Sequence, residues 1–423
     1  MESDNIYVAI NIGSDTITAM AAQKNDEGQL RILGVESDRS QGVKYGEINN
    51  PSAASWVINN LLQLLRNRIT REIGKVYVGL NGRSLKTLRA NNGRELEKNQ
   101  EVSEEMLSEM QREIREEKTE QGEIYAVFAQ EVKIDDETEE SPVGCIGSKV
   151  TVNYRVILGK PELMSNISRC LDRTGYLLAD APIQIVSTAN AVLTPNEKDV
   201  GCALIDFGAS CSTLAIFHHG YMRYLASIPM GGHTITKDIA SLDIPLRTAE
   251  KVKIECANAL ASTVTTPQRI LLQSDIQGIE SKYIASQTLA YVTEARAAEI
   301  VNALWMYIEK SGLSSLLGAG IVLTGNGSKL KNLDKLINEL TGLPVRTGSH
   351  HRHLEDGTAE LFYDIEYSPL VGMLLNANID CQYHHEEPSP KVKRPPFGGI
   401  LTDKLTNMFE GVFNAEKEYS THT

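Results

Sequence analysis

The chain lacks most of the features that would classify it quickly. Its six cysteines, Cys145, Cys170, Cys202, Cys211, Cys256 and Cys381, include no C-x-x-C pair, which argues against a zinc ribbon or a disulfide framework and for reduced thiols in a cytosolic compartment. No run of about 18 apolar residues occurs, so no membrane-spanning helix is expected. The opening MESDNIYVAI is acidic and passes directly into a strand pattern, unlike a secretory signal. Basic residues are in deficit: 42 Lys and Arg against 55 Asp and Glu leave a net charge of −13. A protein that coats nucleic acid needs a basic face, so no nucleic-acid partner is expected. Neither a P-loop nor G-x-G-x-x-G is present.

What the sequence has is length and pattern. At 423 residues with 41% hydrophobic side chains, it has the material for two or three globular domains. Alternation and turn residues predict strands at Ile6–Gly13, Ile17–Lys24 and Leu30–Ser37. A helix is expected from Pro51 to Ile73, with Val57, Ile58, Leu61, Leu65 and Ile69 at helical spacing, then a strand at Val76–Gly82. From Ser84 to Gly159 the composition becomes charged. A helix at Ser103–Lys118 and strands at Ile124–Ile134 and Lys149–Leu158 read as a small inserted α+β domain. Within it, Asp135–Glu140 reads as a hairpin tip, and residues 94–101 and 113–120 as exposed helix faces. Helices at Pro161–Tyr176 and Pro182–Leu193 follow.

At Val200 the opening pattern returns. CALIDFGASCSTLAIF (Cys202–Phe217) superimposes on VAINIGSDTITAMAA (Val8–Ala22), with Asp206-Phe207-Gly208 in register with Asn11-Ile12-Gly13. A repeat near 195 residues is too long for a solenoid and predicts two homologous lobes, each opening with a β-hairpin. Further on come a long helix at Ser286–Ser311, a strand–loop–helix at Gly320–Leu340 and a short helix at Ser368–Ala377. The core is expected to end near Asn378. Residues 380–399 are polar and carry Pro388, Pro390, Pro395 and Pro396, a linker composition.

The two hairpins carry the first chemical argument. A glycine turn lets backbone N–H groups approach a phosphate, and a nearby carboxylate can hold Mg²⁺ through water. Gly13, Ser14, Asp15 and Thr16 form the first such turn, and Gly208, Ala209 and Ser210 the second, with Asp206 as the metal-directing carboxylate. LTGNGSKL (Leu323–Leu330) offers Gly325, Asn326, Gly327 and Ser328 as a third contact, for a ribose or adenine face, although an ordinary β-to-α turn reads the same way. In IPMGGHTITKDIA (Ile228–Ala240), Gly231 and Gly232 open an amphipathic helix and offer free N–H groups to an anion, or form a simple cap. His233 reads as a cap or surface group. His350, His351 and His353 read as a solvated polar loop with a metal site as the alternative.

Together PMGGHTITKDIA, ANAVL (Ala189–Leu193), RTAEKVK (Arg247–Lys253), EARAAEI (Glu294–Ile300) and IVLTGNGSKL (Ile321–Leu330), with the paired hairpins, resemble the FtsA family. The resemblance runs over about residues 5–380 and the tail. It implies an α/β, actin-like two-lobed ATPase fold with an inserted small α+β subdomain and a tethered C-terminal amphipathic helix. Lobe 1 would take 1–83 and 161–198, the insertion 84–160, and lobe 2 would take 199–244 and 301–379 with a subdomain at 245–300. A linker at 380–398 and a membrane helix at 399–415 would complete the chain. The resemblance also implies ATP and Mg²⁺ as ligands, with Glu250 and Lys253 among the nucleotide contacts. It further implies self-polymerisation, a cytoplasmic-face location at the division septum, and partners docking on the insertion. Arg296 lies where the family receives the C-terminal peptide of FtsZ; it pairs with that peptide or approaches the nucleotide, and sequence does not separate the two. Four departures stand out. Asn11 replaces an acidic residue, Asp15 and Thr16 stand where a Lys is usual, Ala209-Ser210 replaces a Gly-richer turn, and Asn326 replaces a second Gly. These imply ATP as a structural ligand with at most weak hydrolysis.

In the tail, Ile400, Leu401, Leu405, Met408, Phe409, Val412 and Phe413 share one helical face, and Lys391, Lys393 and Arg394 precede them where anionic headgroups would lie. Seven such side chains at about 1.5 kcal/mol each give roughly 10 kcal/mol gross, and ordering about 14 residues costs a similar amount. One copy would bind weakly and a polymer firmly. The alternative functions are a small-molecule kinase of the same superfold, which needs a catalytic Asp in the cleft, and an Hsp70-like or pilus-assembly relative. An Hsp70 needs a further domain of roughly 200 residues for which no chain remains, and a pilus relative lacks the tethered helix.

Overall fold

The computed structural model describes residues 5–266, 268–272 and 282–383. The expected membrane helix and most of the expected linker lie outside the described residues. The chain forms two compact units. The first contains the described residues of Met1–Asn91, Arg115–Gln130 and Asn153–Tyr383. The second contains Asn92–Ile114 and Glu131–Val152.

The first unit is organised around two five-stranded sheets of matching topology. In one, the order is Leu177–Asp180, Lys75–Val78, Tyr7–Ile12, Thr16–Lys24, Leu30–Arg39; in the other it is Val345–Thr347, Ile321–Thr324, Cys202–Phe207, Ser212–His218, Tyr221–Ile228. The first hairpin pairs Ile12 with Ile17 and Asn11 with Thr18, and the second pairs Phe207 with Ser212 and Asp206 with Thr213. Each of these residues has its counterpart 195 positions away, as the repeat predicts. The likeness extends to side chains. Thr18 shares a hydroxyl hydrogen bond with Ser37 (2.9 Å), and Thr213 shares one with Ser227 (3.0 Å).

The central strands are buried on both faces, which is why they read as continuous apolar runs rather than alternating ones. Helix Pro51–Ile69 covers the first sheet through Val57, Ile58, Leu61, Leu62 and Leu65. Its N-terminus is fixed by Asn50, whose side chain accepts from the Ala53 N–H (3.2 Å), with Pro51 in the first turn. It stops at Ile69 rather than Ile73 because Thr70 turns left-handed, at φ 53°. Helices Gly232–Ala240, Leu246–Cys256 and Ser286–Ser311 serve the second core, with Ile235, Ile239, Val252, Ala297, Ile300 and Leu304 inside it.

The expected end of the core near Asn378 is corrected. Residues 380–383, assigned to the linker by composition, pack on the first sheet. The Ile6 N–H donates to Asp380 Oδ1 (3.0 Å), the Cys381 N–H donates to the Ile6 carbonyl (2.8 Å), and Cys381 is wholly buried. Polarity misleads here because the segment is held by backbone hydrogen bonds, which composition does not record. In the insertion, a four-stranded sheet has the order Lys86–Glu95, Lys149–Gly159, Glu123–Ile134, Glu137–Glu139, and a helix spans Glu104–Glu116. Strand Lys86–Glu95 was not anticipated, and its end displaces part of the expected helix face at 94–101; its exposed polar side chains hide the alternation. The Asp135–Asp136 tip is a two-residue turn with both residues at positive φ.

The buried Tyr77 ties the C-terminal segment to the first sheet. Its hydroxyl accepts from the N–H groups of Asn378 (3.0 Å) and Ile379 (2.8 Å). Replacing it by Phe strands two amides at once. Tyr77→Phe is expected to lower stability by about 1–3 kcal/mol, read as a lower denaturation midpoint in urea with an unchanged slope.

Candidate functional site

Both hairpin turns close in the same way. The Gly13 N–H donates to the Thr16 carbonyl (3.0 Å), and the Gly208 N–H donates to the Cys211 carbonyl (3.1 Å). A Cβ on Gly13 would fall 2.7 Å from that carbonyl oxygen, and one on Gly208 would fall 2.6 Å from its own. Close approach, rather than an unusual φ, therefore demands glycine at both positions.

The two turns line one cleft of about 480 Å³, a size that suits a nucleotide-sized ligand. Of the residues singled out in the sequence, it is lined by Gly13, Ser14, Asp15, Thr16, Asp206, Gly208, Ala209, Ser210, Gly232, Glu250, Lys253, Gly325, Asn326 and Gly327. Gly231 and Ser328 do not line it. Gly231 is instead pressed against the second turn, where a Cβ would lie 2.4 Å from the Gly208 carbonyl oxygen. Ser328 turns its hydroxyl to the Gly325 carbonyl (2.7 Å).

The cleft is rich in donors. Among the described residues, the amides of Ser14, Asp15, Ala209 and Ser210 donate to no protein group. The Ser14 and Ser210 hydroxyls accept from the N–H groups of Gly46 (2.9 Å) and Tyr45 (3.0 Å) respectively. An accepting hydroxyl keeps its own proton free, so both can still donate to an anion. The short hairpin Val43–Ile48 that aims these hydroxyls was missed by sequence reading, because strands of two residues leave no periodicity. Asn81, Gln184 and Glu366 also line the cleft and were missed. Only the Asn81-Gly82 pair after a strand hinted at them.

Two expectations need correction. The N-terminus of helix Gly232–Ala240 does not offer free N–H groups. The Gly232 N–H donates to Gly208 O (3.0 Å), His233 N–H to Ala209 O (2.7 Å) and Thr234 N–H to Gly231 O (2.9 Å). The helix start braces the second turn instead of meeting an anion. Lys253 works in the same framework. Its ammonium is shared among the Gly232 carbonyl (3.2 Å), Thr236 Oγ1 (2.9 Å) and Glu250 (2.8 Å), and Thr236 also donates to Glu250. Three acceptors saturate three protons.

Asp15, the carboxylate that looked unfavourable beside phosphates, accepts from His233 Nε2 (3.3 Å). That hydrogen bond holds its pKa below the ordinary value. Arg296 is outside the cleft lining. Its guanidinium grips Asp238 and donates to Glu299 (2.5 Å), so the alternative in which it approaches a nucleotide is not met. Nor is His350 in a solvated loop. It is wholly buried, bonded to Ser368 Oγ and the Phe362 carbonyl (2.8 Å each). Burial and Arg352 push His353 down to about 4. Among the described residues no group of three metal-ligating side chains exists.

The residues fit a ligand that brings its own charge and its own metal. Asp206 sits at the cleft floor, and burial alone pushes its carboxyl up to about 6. A Cβ on Gly325, which has φ +80°, would lie 2.2 Å from its Oδ1. The Oδ1 of Asn11 and Oε1 of Gln184, both in the lining, are buried without a partner. Mg²⁺ is commonly held by one or two carboxylates, waters and substrate phosphates rather than by a protein cage. One uncompensated carboxylate beside phosphate donors matches that pattern.

A family model described as Cell division protein FtsA matches residues 203–372. The chain is 28% identical over 380 residues to the cell division protein FtsA of Pseudomonas aeruginosa, covering 89% of this chain and 90% of that one. It is 27% identical over 427 residues to that of Neisseria meningitidis serogroup B, covering 98% and 100%. Among solved structures, a PilM-PilN type IV pilus biogenesis complex superimposes with a TM-score of 0.61 at 15% identity, covering 89% of this chain and 99% of that chain. MreB5 of Spiroplasma citri bound to ADP superimposes at 0.52 and 14% identity, covering 88% and 95%. The fold is actin-like. Among the described residues no helix is long and apolar enough to cross a membrane.

The raised pKa of Asp206 has a signed consequence for stability. Below about pH 3.8, its ordinary value, the carboxyl is neutral folded or unfolded and carries no penalty. Between there and about 6 the penalty grows, and above 6 it is complete. In ligand-free, Mg²⁺-free buffer, Asp206→Asn is expected to be more stable than the parent at pH 8 by on the order of 3 kcal/mol. The gain should vanish by about pH 4. Urea melts at both pH values read the difference directly.

Proposed function

Because the chain belongs to the FtsA family of cell-division proteins, we propose that its cleft holds ATP with Mg²⁺. In this reading the nucleotide biases the molecule toward a polymer, and the polymer tethers FtsZ to the cytoplasmic face of the cell membrane at the septum. The observation that carries the nucleotide is the pair of congruent glycine turns lining one cleft, with four unengaged amides and two hydroxyls between them. Each turn receives one side of a phosphate chain. Asp206 would hold Mg²⁺ through water, and the metal would offset phosphate charge. The Gly325–Gly327 segment would flank the nucleoside. MreB5, which shares the fold, is bound to ADP, and this supports an adenine nucleotide.

The chain's own residues position more than they react. Lys253 and Glu250 hold helix Gly232–Ala240 against the second turn, and the Ser14 and Ser210 protons remain available to phosphate oxygens. Asn11 provides an uncharged acceptor where its repeat partner has Asp206. One carboxylate instead of two favours holding the nucleotide over activating water, so turnover is slow or absent. The insertion at 84–160 would receive other division proteins, and the surface around Arg296 the FtsZ C-terminal peptide. Residues 399–415 would lie on the membrane as an amphipathic helix.

Two experiments test this. Calorimetric titration of Mg-ATP is expected to give one-site binding, with affinity reduced roughly tenfold in the double variant Ser14→Ala/Ser210→Ala. No heat at high micromolar protein rejects the nucleotide. Deleting residues 399–423 is expected to abolish co-sedimentation with liposomes of anionic lipid, and unchanged co-sedimentation rejects the tether.

A further inference from the structure

The turn at 325–329 is held from two sides. On one side it is pressed into the second core. A Cβ on Gly325 would lie 2.2 Å from Asp206 Oδ1, and one on Gly327 would lie 2.6 Å from the Phe207 carbonyl oxygen. Phe207, and Leu323 just before the turn, belong to that core. The two glycines therefore seat the turn against the end of strand Cys202–Phe207 with no room to shift. On the other side, two side chains reach out of it. Asn326 Nδ2 donates to Glu366 Oε2 (3.0 Å), and Lys329 Nζ donates to Asp364 Oδ2 (2.7 Å).

The receiving stretch at 364–366 belongs to the first core and is equally fixed. Ile365 is buried in that core. The Glu366 N–H donates to Asp364 Oδ1 (3.0 Å), which sets the two carboxylates in one short turn. The wholly buried His350 bonds the Phe362 carbonyl before this stretch and Ser368 Oγ after it (2.8 Å each). Asn326, Lys329 and Glu366 all line the cleft. The turn thus ties the second core to the first beside the cleft. An exposed polar pair is ordinarily worth little, because ordering two free side chains offsets the contact. Here both backbones are already pinned, so less freedom is lost when the side chains meet.

We propose that Asn326 and Glu366 are positioning residues, a latch between the two cores that holds the cleft at the width a nucleotide fits. This rests on the reading of the cleft as a nucleotide site. In that reading the turn flanks the nucleoside, and the same turn packs on Asp206, so one bond sets the spacing at the nucleoside and at the metal-directing carboxylate together. A ligand's apparent affinity falls in proportion to the fraction of molecules in the competent arrangement. Breaking the latch therefore weakens binding although neither side chain needs to touch phosphate.

The test is calorimetric titration of the full chain with Mg-ATP. Asn326→Asp sets a second carboxylate against Glu366 and is expected to weaken binding about tenfold. Asn326→Asp/Glu366→Gln restores one donor and one acceptor with the roles exchanged, and its affinity is expected to return to within about twofold of the parent. Loss of local structure at position 326 does not give that rescue, because both variants carry the same first substitution. Should Asn326→Asp fail to fold, Asn326→Ala carries the test. It removes the donor without adding charge and is expected to weaken binding about threefold. Parent-like affinity in whichever of these two single variants folds overturns the latch and leaves the nucleotide reading standing. So does a double variant that binds no more tightly than Asn326→Asp. No heat from the parent at high micromolar protein overturns both.

Discussion

The fold depends on two places where a backbone must come within van der Waals contact of itself. At each hairpin a glycine amide closes onto a carbonyl three residues on, in a space that a single methyl group would fill. The closure sets where each central strand ends, and so where the loop amides are left without strand partners. Those amides are then the donors of the cleft. Sheet and site are one construction, since a longer or looser turn would satisfy its own N–H groups and leave nothing for a ligand. The second turn needs an outside brace as well, which the start of helix Gly232–Ala240 supplies by spending its own N–H groups on Gly208 and Ala209.

Much of this was legible because it is local or repeated. Glycine at 13 and 208, the polar residue two positions before each, and the apolar strands around them recur at one spacing, and coordinates reproduce that spacing pair by pair. The long helix Ser286–Ser311 was read to its ends, since 26 residues of sustained pattern dominate any local ambiguity. What escaped is long-range. Cys381 joins the sheet through hydrogen bonds to Ile6 and Gly74, some three hundred residues away, and its neighbours look like linker. His350 looks solvated in a run of three histidines, yet both ring nitrogens are engaged from a helix and a loop that arrive later. Lys253, which the resemblance implies as a nucleotide contact, lines the cleft but has its ammonium shared among three protein acceptors. Sequence shows which groups exist; burial and partnership come from the rest of the chain.

The same distinction organises the electrostatics. Polar groups of the cleft fall into two populations. Lys253, Glu250, Thr236 and the helix N–H groups are fully engaged with one another and fix geometry. Asp206 and the Asn11 and Gln184 oxygens are under-engaged and carry an energetic penalty of burial, and the loop amides stand beside them without protein partners. A framework of the first kind is what makes the second tolerable, because a carboxylate held by rigid neighbours cannot relax toward solvent. Stability and binding therefore pull in opposite directions at Asp206.

Asp15 shows how such a site accommodates a charge of the wrong sign. A carboxylate in a phosphate turn would repel the ligand if it stood alone, at several kcal/mol for close approach in a medium of intermediate dielectric. Here it accepts from His233, which begins the helix that braces the opposite turn. The pair turns a local liability into a link between the two turns. In the proposed reading, phosphate charge would be met by the amide dipoles, by a cation held at Asp206 and by the lysines that line the cleft away from the turns, Lys329 and Lys331. Neither turn itself carries a lysine or arginine, so in the proposed reading the two turns would hold a nucleotide without a side-chain cation of their own to stabilise charge developing in a hydrolytic transition state.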